Sequence, residues 1–343
     1  MQALVYEGPR IMNIRNIDVP TLLRDEVLIQ VECSGICGSE LGGYLGINSL
    51  RRPPLVFGHE FSGTIVARGD AVTTLAPGQR VTANPLITCG SCAYCKRGLE
   101  QLCVHRKLMS AALPGSNAEF VKVPERFVHP LPLHVTFEQG ALTEPTACAV
   151  HTVELAEVTP LHSILVIGMG PIGQLILQAM LVHGAKHLIA IDTNPHRLAL
   201  AQSLGAHVIH PKEQNVTEEV QRITDGQGVD VSIDAVGSSL TRAQCVQSLR
   251  AGGRAVLVGL HEEESSLPIN QMIRREIQVV GAFAYSSENF AAALQLIADG
   301  RMGFSEGVVK APLEEGAYWY ETLVGNATDI GQVTKVLLRP RGL

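Results

Sequence analysis

The feature that most restricts the fold is a glycine-rich turn between an apolar run and a helix-like run. Residues 164–167 predict a buried strand. Directly after them comes a turn with G-x-G-x-x-G spacing, Gly168-Met169-Gly170-Pro171-Ile172-Gly173. The first glycine of such a turn reverses the chain, the second lets the backbone approach a pyrophosphate, and the third permits close packing of helix on strand. Because a helix N-terminus also offers N–H donors to phosphate, the pattern predicts a dinucleotide site.

Asp192 supports the same prediction, since it lies 19 residues after Gly173 at the end of the next apolar run. A carboxylate there accepts hydrogen bonds from both ribose hydroxyls and repels a 2′-phosphate, so NAD is expected rather than NADP. No basic residue directly follows Asp192, and Arg197 is expected to lie against the adenine. NADP binding, or an incidental glycine turn in a sheet domain, are the alternatives.

Two patterns of predicted secondary structure divide the chain. Up to about residue 150, short strands are broken by Gly and Pro, which predicts an antiparallel β barrel or sandwich. From about residue 161, strands alternate with helices, which predicts a doubly wound parallel sheet. We therefore expect an α/β protein with a β-rich domain, 1–150 with 285–343 returning to it, and a dinucleotide-binding domain, 151–284. The predicted strands are 3–6, 27–33, 60–67, 80–83, 164–167, 188–191, 229–234, 254–258 and 333–338, and the predicted helices are 171–183, 195–204, 240–249 and 287–298.

Composition narrows the functional classes. Of the 343 residues, 46% are hydrophobic and 17% are charged, and the formal net charge is −6. A mildly acidic chain lacks the basic field that attracts nucleic acid or an anionic membrane. The apolar stretch 164–182 contains Gly, Pro and Gln, so strand, turn and helix are expected there rather than a membrane span. The first residues, MQALVYEGPR, lack a basic region followed by an apolar one, so the cytoplasm is the expected compartment.

Four of the eight cysteines cluster within fifteen residues: Cys89, Cys92, Cys95 and Cys103. Four thiolates directed at one point form a closed tetrahedral zinc shell, which leaves no position for a substrate and is therefore structural. Disulfides are disfavoured, because they belong mainly to small secreted domains. A cluster of reduced surface thiols is the alternative. Three other cysteines are expected to be small, mostly buried hydrophobic residues: Cys33, Cys148 and Cys245.

Three further segments carry soft or acidic side chains. They contribute Cys37, the adjacent pair His59 and Glu60, and Glu144 before Pro145. One thiolate, one imidazole and one or two carboxylates suit a zinc ion with an open coordination position. Such an ion binds an alcohol oxygen and lowers its pKa. Taken singly, each residue also has an ordinary structural interpretation, so the spacing alone leaves a metal site and a structural role both open.

Several motifs together resemble the zinc-containing medium-chain dehydrogenase/reductase family over nearly the whole chain. They are Cys37-Gly38-Ser39, Gly58-His59-Glu60, the four-cysteine lobe, Ala118-Glu119-Phe120, Thr143-Glu144-Pro145, the glycine turn with Asp192, and Asp234-Ala235-Val236-Gly237. Within the family, polyol (sorbitol-type), galactitol-1-phosphate and threonine dehydrogenases are the most similar groups. The resemblance implies a GroES-like catalytic domain, a Rossmann NAD-binding domain and a cleft between them.

The resemblance also assigns site residues. It implies that Cys37, His59 and Glu60 hold a catalytic zinc, with Glu144 as an adjacent or exchanging ligand. It implies two Zn²⁺ per chain, NAD as cofactor, and a homodimer or homotetramer. Leu260 and Ala284 complete the expected cofactor-binding set.

Ser39 matches the family's hydroxyl that hydrogen-bonds the substrate oxygen and begins proton removal. Two departures surround it. Position 40 is Glu where the family usually has Asp, and position 42 is Gly where polyol and alcohol dehydrogenases often have a His that passes the proton outward. The long proton relay is therefore not expected, and water, the cofactor ribose or another side chain is left to finish the transfer.

These residues predict an NAD-dependent oxidation of a secondary alcohol on a polyol-like substrate. A sugar-alcohol phosphate is the second hypothesis, with Arg51 and Arg52 as phosphate contacts; otherwise both arginines are expected on a solvated loop. Threonine oxidation is the third. Two further alternatives are a non-catalytic metal-binding protein and a zinc-free quinone or enoyl reductase.

Overall fold

The computed structural model describes residues 1–325 and 331–340. The chain forms two compact units. The first unit is Met1–Ala147 with Tyr285–Leu343, and the second unit is Cys148–Ala284.

The strands of the described residues, in chain order, are β1 (Gln2–Gly8), β2 (Ile11–Asn16), β3 (Glu26–Gly35), β4 (Leu55–Val56), β5 (Glu60–Arg68), β6 (Arg80–Ala83), β7 (Leu86–Ile87), β8 (Lys107–Leu108), β9 (Phe120–Pro124), β10 (Val128–Pro130), β11 (Ser163–Ile167), β12 (His187–Ile191), β13 (His207–Ile209), β14 (Val229–Asp234), β15 (Leu249–Leu257), β16 (Gln278–Gly281), β17 (Val308–Pro312) and β18 (Lys335–Arg339). The α-helices are α1 (Gly38–Tyr44), α2 (Phe137–Ala141), α3 (Thr143–Ala156), α4 (Pro171–Val182), α5 (Pro195–Ser203), α6 (Val216–Ile223), α7 (Ser239–Gln247), α8 (Ile269–Arg274), α9 (Ser287–Ala298) and α10 (Gly316–Val324).

The first unit is built on a mainly antiparallel sheet. Its strand order is β10-β6-β5-β3-β18-β17, with β9 also paired to β3, and a smaller sheet runs β2-β1-β4. Alternate residues of β3 point into an apolar core, where Val27, Ile29 and Val31 are fully buried against Phe61. Strand β18 pairs antiparallel with β3 and parallel with β17, so the last described strand is an interior strand of this sheet.

The second unit contains a six-stranded sheet in the order β13-β12-β11-β14-β15-β16, with every pairing parallel. Counted within the unit, this order is 3-2-1-4-5-6, which is a doubly wound order and agrees with the doubly wound parallel sheet expected from the sequence. The central strands are apolar throughout because helices cover both faces of such a sheet. In β11, Ile164, Leu165 and Val166 have no exposed surface. The apolar stretch that raised the question of a membrane span is β11, a turn and α4, and no helix of the described residues is long and apolar enough to cross a membrane.

One predicted boundary is wrong. The helix 240–249 and strand 254–258 are in fact α7, which ends at Gln247, and β15, which begins at Leu249. Strand β15 contains two consecutive glycines, Gly252 and Gly253, a residue type that disfavours strand structure. The backbone on either side of them is nevertheless held in the sheet, because Leu249 pairs with Val229 and Arg254 pairs with Val231 across a bulge.

The buried strand β11 gives a direct test of which apolar residues stabilise the second unit. Leu165→Ala removes a fully buried side chain and leaves a cavity, so the free energy of unfolding should fall by about 2–5 kcal/mol. Leu161→Ala is the matched control, since that side chain is 87% exposed and its loss should change stability by less than about 0.5 kcal/mol. Denaturant unfolding measures both, and equal effects of the two substitutions would contradict this packing.

Candidate functional site

Cys37, His59 and Glu60 converge on one point of the first unit. One ligand atom from each, the sulfur, an imidazole nitrogen and a carboxylate oxygen, lies within 4.8 Å of the other two. Cys37 stands just before α1, at the end of β3, and Glu60 opens β5. Both His59 and Glu60 are turned inward and buried. The backbone of Gly58 has a positive φ of 103°, and a Cβ there would collide with the Ser116–Asn117 segment, so glycine is needed for this turn.

The donor set fits a zinc ion, because a second carboxylate already fixes the imidazole. His59 Nδ1 donates to Glu40 Oε1 at 2.6 Å, which leaves Nε2 as its ligand atom. Metal-binding histidines typically have such a partner on the other ring nitrogen. Sequence reasoning noted Glu40 only as a departure from Asp and missed this role.

Glu40 is fully buried, and its carboxylate accepts from four groups. The donors are His59 Nδ1 at 2.6 Å, the Gly58 N–H at 2.9 Å, Ser110 Oγ at 2.7 Å and Tyr320 Oη at 2.6 Å. Burial by itself would raise the pKa of Glu40. The neighbouring His59, with further help from Arg51 and Tyr320, instead holds that pKa at about 2, so the carboxylate is charged.

Two further buried groups adjoin the set, and no motif in the sequence indicated either of them. Lys335 of β18 forms an ion pair with Glu60 and also donates to the Ile36 carbonyl at 3.1 Å. Tyr285 donates to Glu144 Oε1 at 2.8 Å. Burial, and then the nearby Glu60 charge, raise the pKa of Glu144 to about 7 against the opposing effect of His59. Glu144 is not among the three residues whose ligand atoms lie within 4.8 Å of one another, but it is near enough for the charges of His59 and Glu60 to affect its pKa.

Ser39 lies on the exposed side of Cys37. Its hydroxyl donates to Cys37 Sγ at 3.4 Å and accepts from Arg51 Nη2 at 3.0 Å. The expectation of two solvated arginines is wrong for Arg51, which is only 4% exposed, and right for Arg52, which is exposed. Arg51 is buried because its stem packs against Gly43 and its guanidinium lies over the Phe57 ring.

The four-cysteine lobe brings its sulfurs to zinc-binding distances. Three sulfur pairs are 3.6 to 4.0 Å apart, and four sulfurs at 2.3 Å from a tetrahedral ion would be about 3.8 Å apart. The N–H groups of Ser91 and Cys92 donate to Cys89 Sγ at 3.5 and 3.3 Å. These donors lower the pKa of Cys89 to about 5. The lobe contains two short 3₁₀ segments, Cys95–Arg97 and Glu100–Leu102. Of the other cysteines, Cys33 and Cys245 are fully buried and Cys148 is partly exposed.

The glycine turn of the second unit has the geometry that a pyrophosphate requires. Gly168 has a φ of 91°, and a Cβ on Gly173 would collide with the Gly168 carbonyl. At Gly170, the N-cap of α4, a Cβ would meet only Arg197 Nη1, at 4.0 Å, so the backbone is open to a ligand. Pro171 is the first residue of the helix, followed by the partly buried Ile172.

Asp192 holds this turn in place. Its carboxylate accepts from the Met169 N–H at 2.6 Å and the Asn194 N–H at 2.8 Å, and Arg197 Nη1 is 4.0 Å away. The two other residues of the expected cofactor set differ in exposure. Leu260 is 79% exposed, whereas Ala284 is half-buried with a positive φ of 48°.

Comparison with known proteins supports the family that the sequence motifs indicated. Residues 24–133 match the alcohol dehydrogenase GroES-like domain, and residues 171–299 match the zinc-binding dehydrogenase domain. A probable D-xylulose reductase A of Aspergillus terreus is 37% identical over 92% of this chain and 93% of its own length. The chain belongs to the zinc-binding medium-chain dehydrogenase/reductase family. A sorbitol dehydrogenase of Bacillus subtilis is 33% identical over 88% of this chain and 86% of its own. The solved galactitol-1-phosphate dehydrogenase of Escherichia coli superposes with a TM-score of 0.91 at 28% identity, covering 99% of this chain and all of that one.

The glycine turn predicts opposite results for two neighbouring substitutions. Gly170→Ala should leave the melting temperature nearly unchanged, because the new methyl meets no backbone, but should weaken nicotinamide dinucleotide binding at least about tenfold by filling the open space. Gly173→Ala should destabilise the second unit, since its methyl overlaps the Gly168 carbonyl. Thermal melts and cofactor titrations distinguish the two, and unchanged affinity in Gly170→Ala would contradict the site.

The thiol environments predict an order of alkylation. At pH 7 the solution pH lies above the pKa of Cys89, about 5, and far below those of Cys33 and Cys245, both about 12 because of burial. Iodoacetamide should therefore label Cys89 first in zinc-depleted protein and leave the other two unlabelled. Peptide mass spectrometry gives the order. Zinc-loaded protein is the control and should be protected at Cys89, and faster labelling at Cys245 would contradict this assignment.

Proposed function

We propose that this chain is a zinc-dependent dehydrogenase that oxidises a secondary alcohol of a polyol-like substrate, with NAD as the hydride acceptor. The observation that carries the proposal is the convergence of Cys37, His59 and Glu60, with the exposed Ser39 hydroxyl beside them. The polyol class is supported by relatives whose names include sorbitol dehydrogenase and D-xylulose reductase.

Zinc held by Cys37, His59 and Glu60 would supply a Lewis acid that lowers the pKa of an alcohol oxygen. The chain's own groups prepare that site. Glu40 fixes the tautomer of His59 so that Nε2 is available as a ligand, and Lys335 offsets the buried charge of Glu60. Glu144, hydrogen-bonded by Tyr285, supplies a second carboxylate next to the set, in keeping with an adjacent or exchanging ligand.

Ser39 is the group proposed to hold the substrate oxygen and take part in moving its proton. Its hydroxyl stands between Cys37 and Arg51 and is exposed to solvent. Position 42 is glycine, so no histidine at that place passes the proton outward. Ser39 therefore exchanges its proton with water or a cofactor hydroxyl.

NAD is proposed over NADP on the character of Asp192. Its carboxylate is buried against the glycine turn, and a carboxylate at this place in a dinucleotide-binding domain favours the ribose hydroxyls of NAD and disfavours a 2′-phosphate. The Cys89, Cys92, Cys95 and Cys103 lobe is proposed to hold a second, structural zinc, because its sulfurs are spaced for a closed shell.

A cytoplasmic homo-oligomer completes the proposal. Zinc-binding thiolates persist in a reducing compartment, which supports a cytoplasmic location.

The homo-oligomer is supported by β16, an edge strand of the second unit. Val279 lies on this strand and Phe283 follows it, and both apolar side chains are exposed. An edge of this kind supports pairing between copies, as a dimer or a tetramer.

An activity panel with metal analysis tests the proposal. Polyols, polyol phosphates, threonine and simple alcohols are offered with NAD or NADP, and absorbance of the reduced cofactor is followed. We expect turnover of an unphosphorylated polyol with NAD and two zinc ions per chain.

Cys37→Ser should lower the zinc content to about one ion per chain and lower kcat at least about 100-fold, since Lewis-acid stabilisation amounts to several kcal/mol. The matched control is Cys245→Ser. Cys245 is a buried thiol that donates to Ser232 Oγ, so its replacement should leave both zinc ions bound.

Each alternative predicts a different result. Rates only with NADP would contradict the role of Asp192, and rates only with polyol phosphates would favour the second hypothesis, for which a D-arabitol-phosphate dehydrogenase of Enterococcus avium, 36% identical over 88% of this chain, is a relative. No turnover of any alcohol would favour a non-catalytic metal-binding protein. At most one zinc per chain in the wild type would favour a zinc-free reductase.

A further inference from the structure

The loop between α1 and β4 presents two consecutive arginines in opposite environments. Arg52 is exposed, whereas Arg51 is buried with 4% of its surface accessible. The side chain of Arg51 is closely packed. A Cβ on Gly43 of α1 would collide with Arg51 Cδ, and the Phe57 ring lies 5.8 Å from the guanidinium carbon. A glycine and an aromatic ring thus hold the arginine stem in one position.

The guanidinium is directed at hydroxyl groups. Nη2 donates to Ser39 Oγ at 3.0 Å, and Nε donates to Ser110 Oγ at 3.5 Å. Within residues 1–325 and 331–340, no carboxylate oxygen lies within 4.0 Å of Arg51. Its counter-charge is Glu40, which is reached through Ser110, since Ser110 Oγ donates to Glu40 Oε1 at 2.7 Å. A buried charge is therefore held as a donor to Ser39 instead of in a direct ion pair.

The chemistry of guanidinium fixes the direction of the Ser39 hydrogen bond. Arginine carries five N–H donors and no acceptor, so Ser39 Oγ has to accept from it. The single hydroxyl hydrogen of Ser39 is then left for another partner, and in the structure it points to Cys37 Sγ at 3.4 Å. A histidine in the same place would have been able to take either role.

We propose that Arg51 is a positioning residue for alcohol–ketone interconversion, which directs the hydroxyl hydrogen of Ser39 toward the Cys37 side, where the substrate oxygen binds. The proposal rests on the proposed function. Arg51 touches Ser39 and acts through it. Because a guanidinium cannot accept a proton, Arg51 occupies one side of Ser39 without becoming a relay, and proton exchange at Ser39 is left to water or a cofactor hydroxyl.

A double-mutant cycle tests whether Arg51 acts through Ser39. Arg51→Gln should lower kcat about 10- to 100-fold, with the KM for NAD changed less than about twofold. This loss is at or below the low end of the roughly 10²- to 10⁴-fold contribution of a proton-transferring side chain, because Ser39 itself is retained. Arg51→Lys should recover part of kcat, since an ammonium still donates but lacks the planar fork. In a Ser39→Ala background, Arg51→Gln should cost less than about a further twofold, because the group it orients is gone.

Two measurements apart from activity separate positioning from a structural role. Zinc content should stay at the wild-type value in Arg51→Gln. In crystal structures, Ser39 Oγ should lie within hydrogen-bonding distance of Cys37 Sγ in the wild type and leave that rotamer in Arg51→Gln. The control is Arg80→Gln, which removes an arginine that also packs over a phenylalanine, Phe137, and donates to backbone carbonyls at residues 133 and 135. It should leave kcat unchanged.

The experiments distinguish an error in the role of Arg51 from an error in the proposed dehydrogenase activity. A wild-type enzyme that oxidises no alcohol would overturn the function itself. An active wild type in which Arg51→Gln and Ser39→Ala multiply independently would overturn only the role of Arg51. Loss of zinc in Arg51→Gln, or an unchanged Ser39 rotamer, would likewise overturn it.

Discussion

The carboxylate of Glu40 is the interaction on which the candidate catalytic site depends. Glu40 has no exposed surface, so burying its charge would be costly without hydrogen bonds. Four donors surround the carboxylate and offset that cost. The donors come from the turn before β5, which contains Gly58 and His59, from the loop at Ser110 and from Tyr320 of α10. One side chain thus ties together segments that are far apart in sequence. Replacing it would leave several buried donors unsatisfied at once, which costs more than the loss of any one hydrogen bond.

Charge balance extends this network to the whole site. The negative groups Glu40 and Glu60 are matched by the buried cations Arg51 and Lys335, and each pairing also brings an ordered hydrogen bond to a second group. Since buried cations and anions are favourable only in good mutual geometry, these pairings restrain the side chains of the candidate metal ligands. Preorganisation of this kind limits the reorganisation that the reaction would otherwise require.

The sequence predicted those features that are local. The glycine turn, the alternation of strand and helix after residue 161 and the cysteine spacing each depend on neighbours along the chain. The doubly wound parallel sheet and the family were confirmed. Arg51, Lys335 and Tyr285 could not be assigned, because their roles arise from partners that folding alone brings near. The error at β15 has the same origin, because pairing with β14, which is distant in sequence, keeps the backbone on both sides of Gly252 and Gly253 in the sheet.

The position of Lys335 on β18 has a consequence for how the polypeptide becomes functional on the ribosome. The second unit is one uninterrupted segment, whereas the first unit needs β17 and β18 to complete its sheet. A nascent chain can therefore close its parallel sheet while the metal-binding half still lacks the cation that neutralises Glu60. Emergence of β18 supplies that charge, so the candidate metal site is completed only after the whole second unit has been synthesised.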